Sequence, residues 1–141
     1  FPAYFAAVSR MADEFYLKPE EILFFGHIPD DEMYALYRAS DVFLSLSEHE
    51  GFCLPLVESM IFDLPVVALA AAAVPYTLGG AGLLLREFRP DRTAETVHQA
   101  AKDPALRVQL IESGRRELDR LKRFPREEFL RERIPGLGRK K

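Results

Sequence analysis

Four short, mostly apolar runs, ILFF at 22–25, DVFLSLS at 41–47, PVVAL at 65–69 and GLLL at 82–85, are separated by stretches with helical periodicity or by turns. No other feature restricts the fold so strongly. A strand covered on one face alternates apolar and polar side chains, whereas one covered on both faces reads as a nearly continuous apolar run. The alternation of such strands with helices predicts an α/β fold: a Rossmann-like parallel sheet with helices on both faces.

The helical stretches carry their own signals. Phe5, Val8, Ala12 and Phe15 recur at helical spacing over residues 2–16, with Pro2 near the start. Met33, Leu36 and Tyr37 make the buried stripe of a helix that Asp30 can cap, while Asp31 and Glu32 place negative charge at the positive end of its dipole. SEHEGFCLPLVESM (47–60) leads into a helix over about 55–62. Asp91 opens another to about 102, and Leu106, Leu110, Leu118 and Leu121 stripe a longer one from about 104 to 123. AVPYTLGGA reads as a connection into the fourth strand, and its glycines match neither dinucleotide nor P-loop spacing.

At 141 residues the chain suffices for one ordinary core. The apolar residues between Pro65 and Pro75 fall well short of the roughly 20 needed to cross a bilayer. The first residues carry acids and lack a basic region before an apolar stretch, so a signal peptide is not expected. One cysteine, Cys53, allows no internal disulfide, and a reducing, cytoplasmic setting is the default. Charge is uneven: residues 1–114 hold 8 basic and 17 acidic side chains, net −9, against 11 and 5 in residues 115–141, net +6. The basic end reads as a solvated helix followed by a tail from 125 to 141, and no nucleic-acid partner is expected.

The turn at 47–60 concentrates the chemistry. Ligand crevices in open α/β sheets lie outside the carboxyl ends of the strands, where this turn falls. With Pro55 as the first helical residue, free amides of Cys53, Leu54, Leu56 and Val57 would gather at the positive end of the dipole, a site for phosphate. Gly51 lets the backbone approach a ligand or take positive φ, and Phe52 can pack beneath the turn. Glu50 precedes this anion site and Glu58 lies about one turn inside the helix. Beside a diphosphate a carboxylate repels, so both suit hydroxyls on either side of it: a ligand of the form sugar, diphosphate, ribose, base. The plain alternative is two solvent-facing acids, each stabilising the dipole by roughly 0.3–1 kcal/mol.

SEHEGFCLPLVESM followed by PVVA and AAVPYTLGGAGLLL resembles the donor-binding domain of the retaining glycosyltransferases with the GT-B fold, the large group often called family 4. The resemblance covers about residues 22–124 and marks 1–124 as part of a GT-B C-terminal, nucleotide-sugar-binding domain. The family's paired glutamates, with seven residues between them, fall on Glu50 and Glu58. By resemblance Glu50 is the catalytic-site carboxylate near hydroxyls of the transferred sugar, and Glu58 binds the ribose. Backbone amides of Phe52, Cys53 and Leu54 contact sugar and diphosphate, His49 and Gly51 belong to the same substrate-binding turn, and Gly26, His27 and Ile28 lie against the base. Transfer retains anomeric configuration without an agreed protein nucleophile, a metal or a further cofactor. The resemblance also implies an acceptor-binding N-terminal domain as partner and leaves room for peripheral membrane contact through the full-length protein.

This chain departs from the pattern in several places. Cys53 stands where glycine is common, Ser59 where alanine is usual and Asp63 where glycine is frequent; Ala72, Ala73, Val74, Pro75 and Tyr76 replace glycines followed by Pro-Glu. Nothing in residues 1–21 matches the family's Gly-Arg turn and lysine. In the usual strand order 3-2-1-4-5-6 the strand at 22–25 would be the third and that at 41–47 the fourth. The chain therefore reads as a fragment, inactive by itself.

Other readings remain open at this level. Cys53 at a helix start could be a nucleophile with a lowered pKa, but only His49 stands near it in sequence. His27, His49 and His98 are too scattered for metal-ligand spacing. A noncatalytic flavodoxin-like regulatory or nucleotide-binding module would offer Asp41 as phosphoacceptor, although Asp41 precedes its strand. A nucleotide-sugar epimerase of the same fold would need further acid and base groups.

Overall fold

A strand satisfies its backbone polar groups only through a neighbour. In the computed structural model, which describes residues 2–18 and 20–125, three strands do so. They are β1 (Phe43–Ser45), β2 (Val66–Leu69) and β3 (Leu83–Leu85), parallel, in the order β1-β2-β3. Phe43 stands opposite Val66, and Val67 opposite Leu83. The helices are α1 (Pro2–Glu14), α2 (Asp30–Ala39), α3 (Leu54–Ile61), α4 (Val74–Leu78), α5 (Pro90–Lys102) and α6 (Pro104–Arg123). Residues up to Met33 form one compact unit and those from Tyr34 onward another.

The second unit is built around β2, whose four residues are all buried. Because side chains alternate along a strand, Val66 and Ala68 face one way and Val67 the other. Val66 and Ala68 meet Leu56 and Met60 of α3 and Val74 and Leu78 of α4, with Leu118 and Leu121 of α6 packed against them. Val67 meets Ala100 of α5 and Leu110 of α6, flanked by Leu83, Val97 and Leu106. Helices thus cover both faces of the sheet, as the apolar strand pattern predicts. Fully burying each of Leu56, Val66, Val67, Val74 and Leu78 contributes roughly 1.5–3 kcal/mol, so stability is concentrated on the strand and helices that carry the turn at 47–60. α6 serves both cores. Where it passes from one to the other it carries Gly114, and a Cβ there would already stand 3.4 Å from Met60 Cγ.

The helix ends follow from individual residues. Asp103 caps α6 by accepting from the amides of Ala105 (2.9 Å) and Leu106 (3.1 Å). After α3 the chain turns through Asp63 at φ 54°, a left-handed conformation that costs an L-residue roughly 1–2 kcal/mol. Its carboxylate accepts two hydrogen bonds from the Arg115 guanidinium, at 2.8 and 2.6 Å, and this holds its pKa below the usual value. α4 occupies the stretch AVPYTLGGA that reads as a plain connection, and α3 begins at Leu54, which makes Pro55 its second residue instead of its first.

The first unit holds α1 and the segment 15–29. α1 closes with Tyr16 at φ 57°, while the Leu17 amide donates to the Ala12 carbonyl and the Tyr16 amide to that of Asp13. This is the hydrogen-bond pair of a Schellman ending, made without glycine. The apolar run 22–25 is not a strand: it pairs with none of the described strands, and Leu23, Phe24 and Phe25 are exposed. Phe24 makes an edge contact with Phe5, ring centres 4.9 Å apart. Four apolar residues without a neighbouring strand cannot satisfy their backbone as sheet, which overrides their propensity. Among the described residues no helix is long and apolar enough to cross a membrane. Except for Pro125, the basic tail lies outside the described residues.

Candidate functional site

β1 and β2 run parallel with Ser45 opposite Ala68, so the loops that leave them emerge at the same carboxyl edge of the sheet. The first, 46–53, leads into α3, and the second, 70–73, into α4. Two hydrogen bonds tie them together. The buried hydroxyl of Thr77 donates to the Phe52 carbonyl at 2.6 Å, and the Ala73 amide donates to the Glu50 carbonyl at 3.4 Å. The turn is therefore held from below by the neighbouring connection.

Within the turn the left-handed residue is Cys53 (φ 57°), not Gly51. Gly51 is exposed, with nothing within 4 Å of where a Cβ would stand, so the backbone there is open to an approaching molecule. Phe52 and Leu54 are exposed, and Phe52 lines an apolar hollow of about 550 Å³ with Val57, Ile61, Tyr76 and Leu121 beside the turn. His49 is exposed, its Nδ1 against the Glu48 carbonyl at 2.8 Å. No side chain caps α3. One of the amides expected to be free there is taken, since that of Leu56 donates to the Cys53 carbonyl at 3.0 Å.

Cys53 is buried, and that burial, with the Glu50 carboxylate beside it, raises its pKa above the usual thiol value. A thiol held protonated is a poor nucleophile, so the nucleophilic reading of Cys53 gives way to a packing role. The Tyr37 hydroxyl donates to Glu58 Oε2 at 2.9 Å. Glu50 and Glu58 are both half-buried.

Two participants escape sequence reasoning: Tyr37 reads only as part of a buried stripe, and Thr77 sits in what looks like a loop. The hydroxyl of Ser59 explains itself: fully buried, it donates back to the Pro55 carbonyl at 2.7 Å and fits where a small residue is needed. Gly26, His27 and Ile28 belong to the first unit, in the coil before α2, with Ile28 half-buried. Asp41 precedes β1, at the amino end of the strand, and its carbonyl accepts from Arg107 at 2.7 Å. No group of three or more His, Cys, Asp or Glu side chains placed to hold a metal ion occurs among the described residues.

Residues 6–117 match the family model described as glycosyl transferases group 1. The O-antigen chain mannosyltransferase B of Escherichia coli is 33% identical over 86 residues, 61% of this chain and 23% of that protein. The chain thus spans under a quarter of the length of this curated relative. Sucrose-phosphate synthase from Thermosynechococcus elongatus superposes with a TM-score of 0.73 at 26% identity, over 84% of this chain and 30% of that one. The C-terminal domain of LpcC, a glycosyl transferase group 1 family protein from Francisella tularensis, superposes with a TM-score of 0.72 at 24% identity, over 86% of this chain and 64% of that one. The neighbours are GT-B proteins, and the three-stranded sheet is consistent with part of their C-terminal domain. The chain belongs to the group 1 glycosyltransferases.

Proposed function

We propose that this chain is the donor-binding part of a retaining glycosyltransferase of the family 4 kind, which moves a sugar from a nucleotide-diphosphate sugar to an acceptor held by another part of a longer, cytoplasmic protein. The observation that carries this reading is the uncapped start of α3, with Glu50 just before it and Glu58 one turn within, anchored at the carboxyl edge of the sheet. Glu50 would receive hydroxyls of the transferred sugar, and Glu58 those of the ribose. The turn from Gly51 to Leu54, with His49 beside it, would face the diphosphate, whose departing charge fixed dipoles stabilise without reorganisation. Mannose is the first sugar to test, because mannosyl transfer is named for the Escherichia coli relative.

Calorimetry on the full-length protein with UDP, GDP and ADP tests this directly. One of the three should bind, and Glu58→Gln should weaken it about ten- to hundredfold, because a hydrogen bond to a charged group contributes roughly 1.5–3 kcal/mol. Heats identical in both proteins, or none in either, would sink the assignment.

A further inference from the structure

Tyr37 is buried, 8% exposed, in the last turn of α2, and its ring is accounted for by packing. It stacks on Phe62 with ring centres 5.4 Å apart and planes 9° from parallel, and meets Phe43 at 6.2 Å. The Arg38 guanidinium lies over the Phe62 ring at 4.9 Å. A phenylalanine would serve this stack equally well. The hydroxyl is a different matter: a buried polar group must find a partner, and here the partner is Glu58 Oε2. Burial first, then the Glu58 hydrogen bond and charge, raise the phenol pKa above its ordinary value, so the group remains a donor throughout the neutral range.

A glutamate on a half-buried helix surface has three side-chain torsions and would otherwise sample several rotamers. Tyrosine has two, and this one is clamped on its ring. The bond therefore transfers the rigidity of the aromatic stack to the carboxylate. It also divides the two oxygens, because Oε2 has a donor while Oε1 accepts no hydrogen bond among the described residues.

We propose that Tyr37 is a positioning residue for the donor site, whose hydroxyl pins one oxygen of Glu58 so that the other is presented to a hydroxyl of the bound nucleotide. This rests on the donor-binding reading above, and the experiment separates the two. Tyr37→Phe keeps the stack and removes only the hydroxyl. Binding of UDP, GDP and ADP, and of their 2′-deoxy and 3′-deoxy counterparts, is measured for the full-length wild type, Tyr37→Phe, Glu58→Gln and the double variant.

The wild type should prefer the ribonucleotide. Tyr37→Phe should bind on the order of tenfold more weakly and lose part of that preference, and its effect should largely vanish when Glu58 is already Gln, as expected for two groups acting as a unit. Tyrosine titration followed by carbon NMR should show the Tyr37 phenol titrating at lower pH in Glu58→Gln than in wild type, because the carboxylate that accepts its proton in a hydrogen bond is gone. Wild-type affinity and preference in Tyr37→Phe, or additive effects, would overturn the positioning role and leave the donor reading standing. An unchanged Tyr37 titration in Glu58→Gln overturns it alone, whatever the fate of the phenylalanine variant. Absence of nucleotide binding in the wild type overturns the donor reading and the role with it.

Discussion

At the scale of single residues, three of the positions where this chain lacks the family's glycines turn out to share one property: Cys53, Asp63 and Ala72 have φ of 57°, 54° and 47°. The backbone is left-handed at each, which is what a glycine there would supply without cost. At Asp63 the structure shows the compensation, a two-pronged bond to Arg115. Replacing Asp63 by Gly should leave the urea midpoint nearly unchanged, because backbone strain is relieved while a largely exposed ion pair, which contributes little, is lost. Asp63→Ala should be clearly less stable than either, since it keeps the strain and loses the pair; equal midpoints for Gly and Ala would refute this. Linkage gives the sign with pH. The folded pKa of Asp63 is lowered, so its contribution is present above the unfolded value of about 3.9 and lost as pH falls through the folded one. The difference between wild type and Asp63→Gly should accordingly shift toward the glycine variant below about pH 4.

At the scale of elements, the turn at 47–60 is a cantilever supported by its neighbours. Thr77→Val removes the hydroxyl that reaches the Phe52 carbonyl while keeping the shape of a fully buried side chain. It should cost about 1–2 kcal/mol by chemical denaturation, because a part-buried acceptor loses its partner; an unchanged midpoint would show that the clamp contributes nothing. The paired strands and the long helices were legible because burial on two faces and helical periodicity leave local traces. α4 was not, since five residues containing a proline and ending at Gly79 show no period and resemble a turn. The run at 22–25 misled in the opposite direction: its apolar character is that of a strand, but strand formation depends on a neighbour, and neighbours are not encoded in the run itself. The same limit governs the site. Glu50 and Glu58 could be found from their spacing within one turn, whereas the groups that hold the turn, Tyr37 and Thr77, stand 21 and 25 residues from their partners and bear no local mark of the pairing.

At the scale of the whole molecule, the chain corresponds to under a quarter of its mannosyltransferase relative. Group transfer needs an acceptor held in near-attack geometry, which contributes several kcal/mol of barrier reduction on its own, up to about 11. The isolated 141 residues should therefore give no sugar transfer above background in a radiolabelled-donor assay with a mannosyl nucleotide and mixed acceptors, even under single-turnover conditions; measurable product would overturn this. α6 adds a constraint of another kind. Its first half is committed to Val67 and its second to the opposite side, where Leu118 and Leu121 sit. Inserting or deleting one residue near Gly114 would swing one half by about 100° relative to the other and strip one sheet face of its cover. Substitutions along the outer surface of this helix are cheap, but its length is locked, so lineages of this domain should vary freely in spelling there and almost never in letter count.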